Sequence, residues 1–428
     1  MSDERSKPDR PGKKPASAPP PTPPPLPQSP PAAPPTQPSP PPPSPPTTPP
    51  PKPPEVLLRE WLARMPVATP REMYARLEDQ GYVGQEAARR AVCLAAYRHL
   101  RRLKNIHVKG IPRETLPPKE NLLLLGPTGC GKTHLVTRLF RDLLSLPTVI
   151  VDCTTFSETG YVGEDAASCL SRLIGTAGGE LWMAECGVVC LDEFDKLAAC
   201  ANTAVFGGAG TTKDVNGEGV QRELLKMLEG CRLPVTKSGM KDACSRRHEF
   251  STHDVTFIAC GAFSGLHQAA GGSLRPMGFH AGSAAADPAA SLPESQRGVA
   301  GLTLTPDLFV RYGFKPELVG RFTNFVPFHS LTRNELRQIL RDDVLSCYAR
   351  ELELEGVALD IDPAVYDVIV EQCLAMGTGA RGLRNQLNRC LEDACFHAYS
   401  NEIASIQVYL RNGVIEVVES NQLKLRSA

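Results

Sequence analysis

The order of apolar and polar positions divides the chain into stretches of different character. In its middle part, short apolar runs at Asn121–Leu125, Val149–Cys153, Val188–Leu191 and Val255–Cys260 alternate with segments of helical periodicity. Such runs predict strands buried on both faces, and strands alternating with helices predict a parallel sheet covered on both sides. Ahead of them lies a helix-rich entry over 71–104, in which Gly84-Gln85-Glu86 opens a long predicted helix, Ala87–Lys104. From about Ser330 onward helical periodicity dominates, as in Arg333–Leu352 and Pro363–Leu374. Ile406–Tyr409 and Val414–Val418 predict a short hairpin around Asn412-Gly413, a dipeptide suited to a tight turn.

The first 54 residues hold 26 of the 41 prolines and, apart from Leu26, almost no large apolar side chain. Proline fixes φ and lacks a backbone donor, so neither a ladder nor a packed core is expected there. The segment predicts a disordered tail rich in polyproline II, reaching roughly 170 Å if fully extended, a spacer or tether. The expected organisation is therefore a tail over 1–54, a large α/β domain over 55–329 and a smaller helix-rich domain over 330–428.

Charge and composition narrow the setting. The 47 basic and 47 acidic side chains cancel, leaving no whole-protein field to draw the chain onto nucleic acid or anionic lipid. No apolar run approaches the roughly 18–20 residues of a membrane span, and the N-terminus lacks the apolar core of a signal peptide. The 14 cysteines include no Cys-x-x-Cys pair, which argues against zinc and against a redox motif. Scattered thiols in apolar runs predict reduced, buried cysteines and a cytoplasmic protein without membrane or nucleic-acid partners.

The strongest motif is Gly126-Pro127-Thr128-Gly129-Cys130-Gly131-Lys132-Thr133, set between the strand-like Leu122–Leu125 and the helical stretch His134–Leu144. Glycines let the backbone wrap a phosphate with its N–H groups pointing inward at a helix start. In that arrangement Lys132 reaches the β- and γ-phosphates of ATP and the Thr133 hydroxyl ligates Mg²⁺. Further on, Val188–Leu191 runs into Asp192-Glu193. A buried strand delivering two adjacent carboxylates needs a cation or a reaction to justify them. Asp192 suits Mg²⁺ through water, and Glu193 suits polarising the attacking water. Arg321 and Arg381 are two further cations that could stabilise phosphoryl transfer, although on sequence alone each also reads as a surface arginine.

Taken together these residues resemble the ClpX family, AAA+ unfoldases that partner the ClpP peptidase. The resemblance covers roughly residues 65–420. It rests on Val83-Gly84-Gln85-Glu86, the P-loop, Gly160-Tyr161-Val162-Gly163-Glu164-Asp165, Asp192-Glu193-Phe194-Asp195-Lys196, Asp214–Gln221 and Gly379-Ala380-Arg381-Gly382-Leu383-Arg384. It implies a homo-hexameric ring with an axial pore, fed by unfolded or tagged proteins. It also implies that Arg321 is an arginine finger reaching a neighbour's ATP, that Arg381 is the sensor-2 arginine, and that Val83 lies against the adenine. Tyr161 and Val162 would form the pore loop that grips substrate, where an aromatic and a β-branched residue between glycines offer packing to any polypeptide. Asn202–Glu218 and Ser245-Arg246-Arg247-His248 resemble two further pore elements, the second being a basic entry loop.

Three departures matter. No cysteine precedes Cys93, so the family's N-terminal zinc-binding domain is absent from this sequence. The Ile-Gly-Phe of the family's peptidase-docking loop is replaced by Met277-Gly278-Phe279, where Met can fill a similar apolar pocket. The run Cys260-Gly261-Ala262-Phe263 offers no polar sensor residue. Alternatives to a peptidase-coupled unfoldase are a stand-alone remodelling chaperone and a nucleic-acid-stimulated ATPase.

Overall fold

The structure, a computed structural model, describes residues 52–156, 165–198, 215–236, 247–270, 299, 301–400 and 403–421. Its centre is a five-stranded parallel sheet built from β1 (Leu122–Leu125), β2 (Thr148–Asp152), β3 (Val188–Asp192), β6 (Thr256–Gly261) and β7 (Asn324–Pro327). The strand order is β2-β3-β6-β1-β7. Successive side chains of a strand point to opposite faces, and here both faces are covered. Leu123, Leu125, Val189, Leu191, Phe257 and Ala259 enter one core, and Leu122, Leu124, Val188, Cys190, Ile258 and Cys260 the other. That two-sided burial is why the strands read as unbroken apolar runs.

The first core is covered by the helices Ser168–Thr176, Val215–Glu229, Pro306–Tyr312 and Pro316–Val319. The second is covered by Pro70–Asp79, Glu86–His107 and the helical run that follows the P-loop. A helix that the apolar pattern does not announce, Pro54–Arg64, packs Leu58 and Leu62 against Leu103 and Cys186. The tail expected over 1–54 lies outside the described residues except at this helix start.

Two strands pair as an antiparallel hairpin beside the sheet, β4 (Arg232–Thr236) with β5 (Arg247–Ser251). The C-terminal part holds β8 (Ala358–Ile361), β9 (Ser405–Arg411) and β10 (Val414–Ser420) in the order β10-β9-β8. The expected hairpin is present: β9 and β10 pair antiparallel, and Asn412 and Gly413 both take positive φ, 51° and 79°. Helices Arg333–Ile339, Leu345–Leu354, Pro363–Met376 and Ala380–Tyr399 pack with these strands around a core of Leu336, Leu340, Ile369, Leu383 and Leu387. Thr332 and Glu335 start the first of them as a reciprocal capping box.

Both helices beside the P-loop widen locally. The run from Lys132 turns π-helical over Thr137–Leu143, and the one from Arg333 does so over Leu340–Val344. Such wide turns concentrate at functional sites.

Candidate active site

The C-terminal ends of β1, β3 and β6 open on a cavity of about 660 Å³, with the C-terminal part as its opposite wall. Thr128 to Thr133, Val83, Asp192, Glu193 and Arg381 line it, so most of the residues singled out in the sequence converge there. Gly126 and Pro127 do not. Their carbonyls accept hydrogen bonds from Lys132 Nζ, at 2.6 and 2.8 Å, and hold the buried ammonium under the loop. Cys130 Sγ lies 3.8 Å from the same nitrogen, and burial pushes its thiol above the usual range.

Thr133 Oγ1 donates to Asp192 Oδ2 at 2.9 Å, which brings the two expected Mg²⁺ partners together. The other oxygen of Asp192 accepts the Glu193 amide at 3.0 Å. Glu193 takes a left-handed backbone, φ 52°, a conformation that costs a non-glycine residue about 1 kcal/mol or more. The turn Phe194–Leu197 maintains it, because Lys196 N–H donates to Glu193 O at 3.0 Å.

Asp195 stands in the sequence only as a member of the Asp192–Lys196 motif, with no role assigned to it. Its buried carboxylate accepts the Ala262 amide at 3.1 Å, tying the turn after β3 to the loop after β6 where a polar sensor is lacking. Gln85, named in the sequence only within Val83-Gly84-Gln85-Glu86, also gains a role from the structure. It exchanges two bonds with the backbone of His329, Nε2 to O at 2.7 Å and N to Oε1 at 3.1 Å, and so fixes the entry to the C-terminal part.

The P-loop and the helix of Arg381 touch directly. Ala380 N–H donates to Gly129 O at 3.1 Å, and a Cβ on Gly129 would strike Thr378 O. Arg381 and Arg384 both project from that helix at the cavity. Arg321 is not among the cavity's lining residues. It is half exposed and pairs with Glu229 at 2.5 Å, while its carbonyl accepts from Asn121 Nδ2 at 3.1 Å. Tyr161, Val162, Met277, Gly278 and Phe279 lie outside the described residues, as do 202–214, Ser245 and Arg246.

The donor set fits a nucleotide and Mg²⁺. A glycine loop leads into a helix start, a lysine sits within it, and a hydroxyl–carboxylate pair adjoins it. Fold and site together define an ATPase of the AAA+ class. A family model described as "AAA domain (Cdc48 subfamily)" matches residues 117–325, and one described as "C-terminal, D2-small domain, of ClpB protein" matches 331–407. Curated relatives carry the name "ATP-dependent Clp protease ATP-binding subunit ClpX". That of Azotobacter vinelandii is 36% identical over 361 residues, 82% of this chain and 78% of its own. That of Treponema denticola is 34% identical over 340 residues, 78% of each chain. That of Borrelia duttonii is 33% identical over 360 residues, 81% of this chain and 78% of its own. The chain belongs to the ClpX family. Among the described residues no helix is long and apolar enough to cross a membrane.

Proposed function

We propose that the protein is an ATP-driven unfoldase and translocase, working as a homo-hexamer that threads polypeptides through an axial pore into a ClpP-type peptidase. The observation that carries this reading is the placement of Arg321. Lys132, Thr133, Asp192, Glu193 and Arg381 gather at one cavity, whereas Arg321 stands half exposed away from it. An arginine so placed is open to a neighbouring subunit's site, which supports a ring over a monomer.

Within each site the residues divide the work. Lys132 and the loop amides hold the phosphates, and Thr133 and Asp192 would hold Mg²⁺, which neutralises phosphate charge when bound. Glu193 orients and polarises water. Arg381, on the helix seated against the P-loop, carries the nucleotide state into the C-terminal part. Relatives named as the ATP-binding subunit of a Clp protease support the peptidase partner.

The test uses Glu193→Gln and Tyr161→Ala. Glu193→Gln should retain ATP binding and form rings visible by native mass spectrometry, with hydrolysis reduced ~10²-fold or more. Tyr161→Ala should hydrolyse ATP yet fail to unfold a tagged substrate; full unfolding by that variant would sink the pore-loop reading. Met277→Ala and Phe279→Ala should weaken capture of a ClpP-type peptidase. Capture that is undetectable for the parent protein would favour the second reading, a stand-alone remodelling chaperone.

A further inference from the structure

Beside the P-loop, four side chains from separate elements are stacked in sequence. Tyr74 belongs to the helix Pro70–Asp79, Arg89 to Glu86–His107, Tyr82 to the turn between them, and His134 to the helix after the P-loop. The Arg89 guanidinium lies 4.2 Å from the centre of the Tyr74 ring and 5.9 Å from that of Tyr82. Tyr82 and His134 follow, with centroids 5.8 Å apart and planes 14° from parallel.

The inner members are fixed. Arg89 is only 3% exposed, its charge is met by Glu78 at 3.2 Å, and its Nε has no hydrogen-bond acceptor among the described residues. Two ring faces therefore supply much of its environment, an arrangement that attracts a desolvated cation. Tyr82 is 6% exposed, and its hydroxyl donates to Gly131 O at 3.1 Å, so the side chain cannot swing away without breaking a bond to the P-loop.

The outermost member is different. His134 is exposed, and together with Tyr82 it lines the nucleotide cavity. Arg138 Nε donates to its Nε2 at 3.4 Å, holding the ring edge-on. The same cavity is lined by the apolar Val83, Leu331, Ile339 and Val344, and by Asp343, whose charge acts on His134.

We propose that His134 is the free end of this ladder and stacks on the base of the bound nucleotide, making it a base-binding and base-selecting residue. The ligand class is a purine nucleoside phosphate, whose fused rings cover an imidazole plane more fully than a pyrimidine does. This rests on the cavity being the nucleotide site. Loss of base–aromatic stacking weakens binding by about 1–3 kcal/mol per base, which is about 5- to 150-fold.

Calorimetry on the full chain with ADP, and competition by inorganic pyrophosphate as a ligand without a base, test the assignment. His134→Ala should weaken ADP about tenfold while leaving pyrophosphate within twofold of the parent, and His134→Phe should restore ADP to within about threefold. ADP binding unchanged in His134→Ala overturns the proposal. Equal loss of ADP and pyrophosphate also overturns it, because His134 would then act through the phosphate loop. A parent protein that binds pyrophosphate and ADP equally well removes any base subsite, and one that binds neither removes the nucleotide-site reading itself.

Discussion

Gly129 and Gly379 meet so closely that neither position has room for a side chain. A Cβ on Gly379 would lie 2.8 Å from Gly129 O, and Gly379 takes φ 56° and ψ −150°, a backbone region open essentially to glycine alone. The helix that carries Arg381 therefore begins against the P-loop, and a change in one must be felt by the other.

Gly379→Ala should show that coupling. The strain is about 1–3 kcal/mol, and it has to be relieved by withdrawing the helix start from the loop. ATP hydrolysis should fall by more than tenfold, with a lower melting temperature in calorimetry. An unchanged hydrolysis rate would mean that the Gly129–Ala380 bond has no part in the cycle.

Asp195 should act by positioning Glu193 and the loop at Ala262. Misplacement of a catalytic group by an ångström can cost ~10²-fold in rate. Asp195→Ala should lower kcat between about tenfold and 100-fold while ATP affinity stays within about threefold. Asp195→Asn keeps an acceptor oxygen for the Ala262 amide and should recover most of the rate. If the two variants are equally impaired, the charge rather than the hydrogen bond is what matters.

Arg321 offers a test of sharing between subunits. An arginine finger is worth about 10³-fold or more, so Arg321→Ala alone should be nearly inactive, as should Lys132→Ala alone. Mixed, the first supplies intact cavities and the second supplies intact fingers, and hydrolysis should return in part. The ion pair with Glu229 is solvent-exposed, so its loss should change stability by less than about 1 kcal/mol. Mixtures that stay inactive would point to a finger acting within its own chain.

His99 sets a pH dependence of stability. Its ring is buried, with Nε2 at 3.1 Å from Cys186 O and Nδ1 at 2.9 Å from Thr256 Oγ1. Burial lowers its pKa from 6.5 to about 4, against a smaller opposing effect of the Cys186 carbonyl. Between those values the unfolded chain takes up a proton that the folded chain does not. Stability is therefore lost as pH falls from about 6.5 toward 4, by about 2 kcal/mol at pH 5. Urea midpoints at pH 7.5 and pH 5 should differ accordingly, and His99→Gln should flatten the difference.

The sheet was legible because burial on both faces leaves no polar residue to interrupt Leu122–Leu125 or Val188–Leu191. The P-loop and the Asp192-Glu193 pair were legible because their spacing is local. What escaped is non-local or half-exposed. In β4 and β5, Arg232, Pro234 and Glu249 face solvent while Val235 and Phe250 are buried, so no apolar run marks the hairpin. Strand β7, at the sheet edge, is buried only at Val326. Asp195 has meaning only through Ala262, 67 residues away. The ladder ending at His134 is assembled from side chains on four elements, none of them itself a motif residue.

The free thiols have a use beyond packing. Eight of the described cysteines are buried, among them Cys130 in the P-loop and Cys373 in the C-terminal part, and only Cys347 is exposed. These two flank the same narrow cleft behind the loop, together with Gly129 and Gly379. A thiol reagent reaches a buried sulfur only when the surrounding structure opens. The native molecule is thus already wired as a stopwatch. The rates at which Cys130 and Cys373 are labelled, with and without nucleotide, time how often the P-loop and the Arg381 helix part, with no dye to install.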